Sequence, residues 1–109
     1  MDHREIDGAL IGRWGSEPFD LGVMECSEVE FLADGRGWCS VTNAFEKHVT
    51  RFRWRCPEPG VVELRAEDGD VTRHRFRVAP VSPVPGAEPV LSVNFDQSLA
   101  FAHQFAKAG

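Results

Sequence analysis

The chain has 109 residues, of which 42% are hydrophobic and 27% are charged. This composition favours one globular domain over residues 1–109 and excludes a disordered or fibrous protein. No apolar run reaches the roughly 20 residues of a membrane helix, and the polar N-terminal residues lack the pattern of a signal peptide. We therefore expect a cytoplasmic protein with no membrane partner.

The net charge of −5 is unevenly distributed along the chain. Residues 1–35 carry nine acidic residues and two arginines, whereas residues 49–79 carry seven arginines and five acidic residues. The acidic and the basic segment are consistent with a solvated exterior whose two ends have complementary charge, or with a surface that pairs with a second copy of the chain. The arginines are expected to share a face with Glu63 and Glu67, and the acidic molecule repels a phosphate backbone. We therefore expect no nucleic-acid partner.

The N-terminal half contains a strand candidate at residues 10–14 and a hairpin formed by residues 23–32 and a strand that starts at Trp38. Asp34 and Gly35 form a turn signal between the two strands of the hairpin. If the turn has two residues, the even-numbered positions of the second strand, beginning with Trp38, face inwards. If the loop is one residue longer, the odd-numbered positions face inwards instead. The sequence leaves both registers open.

The rest of the chain is organised around residues 49–79, where apolar and charged residues alternate over three runs separated by turn residues. This period of two is typical of half-buried strands joined as a meander, here with apolar residues at even positions. A five-residue turn and then the three-residue turn 68–70, with its glycine in a left-handed conformation, keep the even positions on one face. The resulting registers predict an exposed outer ladder of Arg53, Glu63 and Arg75.

Four prolines between residues 80 and 89 predict an extended surface loop rather than a strand or a helix. Residues 90–95 form the next strand candidate. Residues 97–107 fit either a helix or a strand, and we favour a strand because a closing strand would remove the two open edges of the sheet. The predicted fold class is all-β, an antiparallel up-and-down meander of about eight strands closed into a small barrel.

Gly12, Arg13 and Trp14 form a G-x-W motif in the first strand candidate. Together with the later F-x-x-D-G-x-G and F-x-W segments and a closing strand, the motif resembles short bacterial lipocalin-like (calycin-type) β-barrel domains. The resemblance implies that Gly12 and Trp14 close one barrel end, where the tryptophan packs on a basic side chain near the last strand. Lys107 is the candidate for that cation–π contact. The resemblance also implies a non-enzymatic protein that binds a small apolar or amphipathic ligand inside the barrel.

The inward positions of such a barrel supply large aromatic side chains and two histidines, which would line an apolar pocket and fix a polar ligand head. The ligand-lining candidates are Phe31, Trp38, Phe52, Trp54, His74, Phe76, Phe101 and His103. The same residues also fit a barrel whose interior is filled by its own side chains.

No catalytic, metal or cofactor motif accompanies these residues. The three cysteines fit buried, reduced thiols, and the four histidines lack metal-ligand spacing. A pair of Cys56 and His74 on adjoining strands would lack a third residue to orient it. We therefore expect no enzyme, no cofactor and no metal. The alternative function is an interaction module that forms a homodimer through its outer sheet faces or edges.

Overall fold

A computed structural model of the chain describes residues 6–16, 26–43, 45–99 and 102–108. Within these ranges the chain forms eight β-strands. The strands are β1 (Gly12–Gly15), β2 (Cys26–Phe31), β3 (Arg36–Thr42), β4 (Lys47–Glu58), β5 (Val61–Ala66), β6 (Val71–Val81), β7 (Val90–Leu99) and β8 (Ala102–Ala108).

The strands follow one another as an antiparallel meander, and β1 also pairs with β8, which closes the sheet into a barrel. The predicted all-β, up-and-down barrel of about eight strands is confirmed. Residues 97–107, which fitted either a helix or a strand, span the end of β7 and most of β8, where Lys107 pairs with Trp14 on β1. This pairing satisfies the edge of β1, which a C-terminal helix would have left open. The described residues contain no helix of the length and apolar character needed to cross a membrane.

The β2–β3 hairpin has the longer of the two loops considered. The Leu32 N–H donates to the Arg36 carbonyl at 2.9 Å, and the Gly35 N–H donates to the Leu32 carbonyl at 3.1 Å. Gly35 has a φ of +88°, a left-handed conformation that glycine adopts without steric cost. Three residues therefore separate Leu32 from Arg36, and Phe31 pairs with Gly37.

This loop turns Trp38 to the outer face. Trp38 pairs with Glu30 on β2 and with Arg51 on β4, and its indole Nε1 donates to Glu30 Oε1 at 2.8 Å. The prediction that Trp38 lines the interior is therefore wrong. The odd positions of β3, including Gly37 and Cys39, face inwards, because the extra loop residue exchanges the two faces of the strand.

The β4–β5 register keeps the predicted parity but is shifted by two residues. β4 continues to Glu58, which pairs with Val61, so the turn contains two residues rather than five. A β-bulge between Arg55 and Glu58 accommodates one extra residue on β4, which keeps the parity despite the shorter turn. Arg55, rather than Arg53, therefore pairs with Glu63.

The β5–β6 register is also shifted by two residues. The Ala66 N–H donates to the Asp70 carbonyl at 2.8 Å, so the three-residue turn begins one residue earlier than predicted. The glycine of this turn, Gly69, has the predicted left-handed conformation, with a φ of +96°. Glu63 consequently pairs with Arg73 rather than with Arg75. The predicted ladder is corrected to Arg55, Glu63 and Arg73.

The proline-rich segment forms a shorter loop than predicted. β6 continues through Pro80 to Val81, and Pro80 pairs with Leu91 on β7. Proline is tolerated there because it lies near the end of the strand, where a missing N–H removes little of the sheet's hydrogen bonding. Residues 82–89 connect β6 to β7 outside any strand.

The core follows the predicted alternation in the central meander. Phe52, Trp54 and Leu64 are buried, whereas Arg51 and Arg53 are exposed. Burying large apolar side chains of this kind contributes about 1.5–3 kcal/mol each relative to leaving them in water. The side chains with no exposed surface that dominate the rest of the core are Leu10, Trp14, Val29, Phe31, Val62, Val93 and Phe105.

Candidate functional site

The aromatic residues predicted to line a ligand pocket pack against one another. The ring centroid of Phe31 lies 5.8 Å from that of Phe52 and 5.1 Å from that of Trp54. The indole Nε1 of Trp54 donates to the carbonyls of Leu32 and Arg36, at 3.0 Å and 3.1 Å. These contacts hold the three aromatic residues as a packed cluster, which occupies the space between them at one level of the barrel.

The buried histidine, His74, is also engaged by the protein. Its Nε2 lies 3.1 Å from Thr72 Oγ1, its Nδ1 lies 3.4 Å from the Gln97 carbonyl, and its ring is edge-on to Phe95 at 5.9 Å. Both ring nitrogens therefore have protein partners, as expected for a histidine that belongs to the core. Phe76 is half-buried and packs against the same core.

The other predicted lining residues are not brought into this cluster. His103 is exposed, and its Nδ1 lies 3.2 Å from the Phe95 carbonyl. Trp38 lies on the outer face, and Phe101 falls outside the described residues. Of the eight candidates, the structure therefore places Phe31, Phe52, Trp54, His74 and Phe76 in or against the core.

The predicted contact between Trp14 and Lys107 is present. Lys107 Nζ lies 4.8 Å from the centre of the Trp14 ring and donates to the Ile11 carbonyl, while Trp14 Nε1 donates to the Leu10 carbonyl at 2.9 Å. Gly12 has a φ of +127°, and a Cβ at this position would collide with Lys107 Nζ. Lys107 thus joins the last strand to the first, and Gly12 leaves the room it needs.

Nucleophilic chemistry has little support in the interior. Burial raises the pKa of the Cys39 thiol and of the Cys56 thiol, so both stay protonated at neutral pH and are poor nucleophiles. Cys56 lies on β4 and His74 lies on β6. Because β5 lies between these strands, the expectation that the two residues are on adjoining strands is wrong. Among the described residues, no group of three His, Cys, Asp or Glu side chains is placed to hold a metal ion.

Two neighbouring rows of charged side chains cross the outer face of β3 to β6, and the first is the mixed-charge ladder, Arg55–Glu63–Arg73, with a net charge of +2 − 1 = +1. Glu63 Oε2 accepts a hydrogen bond from Arg55 Nε at 2.7 Å, and Glu63 Oε1 accepts one from Arg73 Nε at 3.1 Å. The hydrogen bond from Arg55, together with that from Arg73, lowers the pKa of the Glu63 carboxyl. The carboxylate therefore stays ionised and binds both neighbouring strands.

The second row is the arginine row, Arg36–Arg53–Arg65, on β3, β4 and β5. Arg53 lies directly opposite Arg36 on one side and Arg65 on the other, and all three side chains are exposed. Arg36 lies 4.0 Å from Asp34, whereas no described acidic residue forms an ion pair with Arg53 or Arg65. Like charges directly opposite on adjacent strands destabilise a sheet, so we expect this row to lower the stability of the barrel.

A groove of about 390 Å³ runs beside this row, and we call it the arginine groove. The arginine row forms one wall, and Arg51 and Glu67 stand on the other. The floor lies along the backbone of Gly37, Phe52 and Ala66, the inward-facing row between the two walls. The groove is thus part of the outer surface of β3, β4 and β5.

The arginine groove is strongly positive on an acidic protein. Four arginines and one glutamate line it, which gives +4 − 1 = +3, whereas the whole chain carries −5. A second groove of about 280 Å³ lies on the other side of Arg53 and Arg65, between the arginine row and the mixed-charge ladder. Guanidinium groups with free N–H donors facing a groove can bind phosphate or carboxylate groups through paired hydrogen bonds.

Sequence reasoning missed the arginine groove because the predicted register placed Glu63 beside Arg53. That error gave Arg53 an acidic partner that the structure gives to Arg55. The charge count of residues 49–79 nevertheless indicated an excess of positive charge, because this segment contains seven arginines and only five acidic residues. Asp68 and Asp70 lie in or beside a turn, so the strands themselves hold too few carboxylates to neutralise every arginine.

Comparisons of the chain with protein families, with curated proteins and with solved structures found no match. What the site binds is therefore inferred from the chemistry of its own residues.

Proposed function

We propose that this protein is a non-enzymatic binding protein, in which a lipocalin-like barrel is the scaffold and the arginine groove binds an anionic ligand. The observation that carries the proposal is the arginine row, three like charges directly opposite one another with no acidic residue between them. Such a row opposes folding, and an anion bound in the groove would neutralise it. Proteins commonly retain destabilising arrangements of this kind where binding requires them.

The lipocalin-like character of the scaffold has independent support at the barrel closure. Lys107 packs on Trp14 and binds the carbonyl of Ile11, while Gly12 provides the space. This is the arrangement that the G-x-W resemblance implies. We also propose a cytoplasmic location, which the free thiols described in the barrel support.

An apolar ligand inside the barrel, as expected from the sequence, is a weaker proposal. Phe31, Phe52 and Trp54 pack on one another within 5.8 Å between centroids, so a ligand at this level would have to displace them. Titration with an uncharged apolar probe tests this site separately. Saturable binding that quenches the fluorescence of the buried tryptophans would favour the interior over the groove.

A homodimer is a second candidate function, and exposed apolar side chains on the β3–β4 hairpin favour it. Phe45 is 94% exposed and Val49 is 50% exposed, and both belong to the hairpin that joins β3 to β4, where a second copy could cover them. Sedimentation over a wide concentration range tests it. A monomer at all concentrations would reject this function, whereas a dimer lost on substitution Phe45→Ser would support it.

The test of anion binding is calorimetric titration with two polyanions, citrate and pyrophosphate, at low ionic strength. We expect saturable binding of at least one polyanion, weakened strongly in Arg53→Ala because this residue lies at the centre of the row. Arg77→Ala is the matched control, since Arg77 is an exposed arginine on β6 outside the groove. Equal affinities for the two variants would reject the arginine groove as the site, and no binding of either polyanion to the unmodified protein would reject the function.

A further inference from the structure

We propose that the ligand of the arginine groove is a small organic phosphate monoester, an inference that rests on the proposed anion-binding function and specifies its ligand. The chemistry of the groove restricts the ligand in three ways, through its charge, the geometry of its donors and its size.

The charge of the groove requires more than one negative charge on the ligand. The lining residues carry +3 in total, so a monoanion would leave most of the repulsion within the arginine row. A phosphate monoester carries about −1.5 to −2 at neutral pH. It therefore neutralises most of the excess, whereas a single carboxylate does not.

The arrangement of the donors favours a tetrahedral anion over a planar one. Side chains directly opposite on neighbouring strands start from Cβ atoms about 4.5–5.5 Å apart, so the three guanidinium groups of Arg36, Arg53 and Arg65 can converge from three strands on one group. A carboxylate has only two oxygens, and Glu63 shows that these engage two flanking guanidinium groups, those of Arg55 and Arg73. The three terminal oxygens of a phosphate monoester can accept hydrogen bonds from all three guanidinium groups together.

The size and setting of the groove favour a small molecule over a polymer. A volume of about 390 Å³ lies at the low end of the range for small-ligand sites. The second groove, of about 280 Å³, continues past Arg53 and Arg65 and offers room for the organic part. The attraction of the arginine groove for phosphate is screened beyond about 8 Å. The phosphates of a nucleic acid that lie farther along the surface would instead meet the acidic remainder of a protein of charge −5.

The experiment compares phenyl phosphate with phthalate, two aromatic dianions that differ in the shape of the anionic group, by calorimetric titration near pH 8. We expect phenyl phosphate to bind at least ~10-fold more tightly, because its three terminal oxygens can engage all three guanidinium groups of the arginine row through one group, whereas each carboxylate of phthalate has two oxygens. Equal affinities would overturn the phosphate assignment while leaving anion binding intact. Failure of both dianions, and of citrate and pyrophosphate, would reject the proposed function as well.

Two variants and one polymer complete the test. Arg53→Lys keeps the charge but removes the planar fork, and we expect it to weaken phenyl phosphate binding by about 10-fold while affecting phthalate less. Arg77→Lys, the matched change on β6, should leave both affinities unchanged. Identical losses for the two ligands in Arg53→Lys would contradict recognition of the phosphate shape. A short single-stranded oligonucleotide that binds more tightly than phenyl phosphate would overturn the small-molecule assignment.

Discussion

The mixed-charge ladder and the arginine row lie on the same face of the barrel and share strands β4 and β5, but they differ in the residue at their centre. The mixed-charge ladder has Glu63 between two arginines, and both of its ion pairs form. The arginine row has Arg53 in the equivalent place, directly opposite Arg36 and Arg65. An alternation of charge that stabilises one row is therefore missing from its neighbour. This difference separates a row that holds strands together from the row that we propose binds a ligand.

The largest expected effect comes from the residue that supports both rows from below. Trp54 lies between them, is 3% exposed, and donates its indole N–H to the Arg36 carbonyl. Trp54→Ala should lower the free energy of unfolding by about 3–5 kcal/mol, because it leaves a cavity beneath the sheet. Urea denaturation measures the loss, with Arg53→Ala as the control, which removes a repulsion and should change the free energy of unfolding by well under 1 kcal/mol. Comparable losses for the two variants would mean that the faces of β4 are reversed.

The mixed-charge ladder is broken at its centre by Glu63→Gln, which leaves Arg55 and Arg73 without the Glu63 carboxylate. We expect the free energy of unfolding to fall by about 1 kcal/mol at neutral pH, the sum of two surface ion pairs. Because the folded pKa of Glu63 is lowered, its contribution is present above the unfolded carboxyl pKa and is lost as pH falls through the folded pKa. Unfolding curves from neutral pH into the acid range should therefore converge for the two proteins. A difference that stays constant down to low pH would contradict the ion-pair origin.

The arginine row should respond in the opposite direction. Arg53→Glu places a carboxylate between Arg36 and Arg65, and we expect it to raise the free energy of unfolding by about 0.5–1 kcal/mol while abolishing anion binding. Arg77→Glu makes the same charge change on β6, beside Asn94, and should change both quantities little. A loss of stability in Arg53→Glu would show that the row has a structural role, which would remove the main argument for the groove.

The two rows also show how far the sequence specifies this molecule. The alternation over residues 49–79 predicted the strands, their faces and the closed barrel, because parity follows from the side-chain period alone. Register depends on the turn that each hairpin adopts, and the bulge after Arg55 moved the partner of Glu63 by two residues. A shift of two keeps every apolar residue inside, so hydrophobic patterning could not detect the error. The arginine groove depends on the observed register, which aligns Arg36, Arg53 and Arg65. No sequence motif could therefore predict it.

Salt should produce the smallest effect and the clearest separation of the two rows. Relative to the unmodified protein, Glu63→Gln loses an attraction and Arg53→Gln loses a repulsion, so their stability differences should have opposite signs at low ionic strength. Added salt shortens the screening length from about 30 Å at 0.01 M to about 3 Å at 1 M. Both differences, each about 0.2–1 kcal/mol at low salt, should therefore shrink towards zero from opposite sides. Denaturation midpoints of the three proteins across this range measure the convergence.

Differences that share a sign, or that do not respond to salt, would show that packing rather than charge distinguishes the rows. Packing is the alternative because exposed arginine side chains also cover apolar surface with their methylene groups.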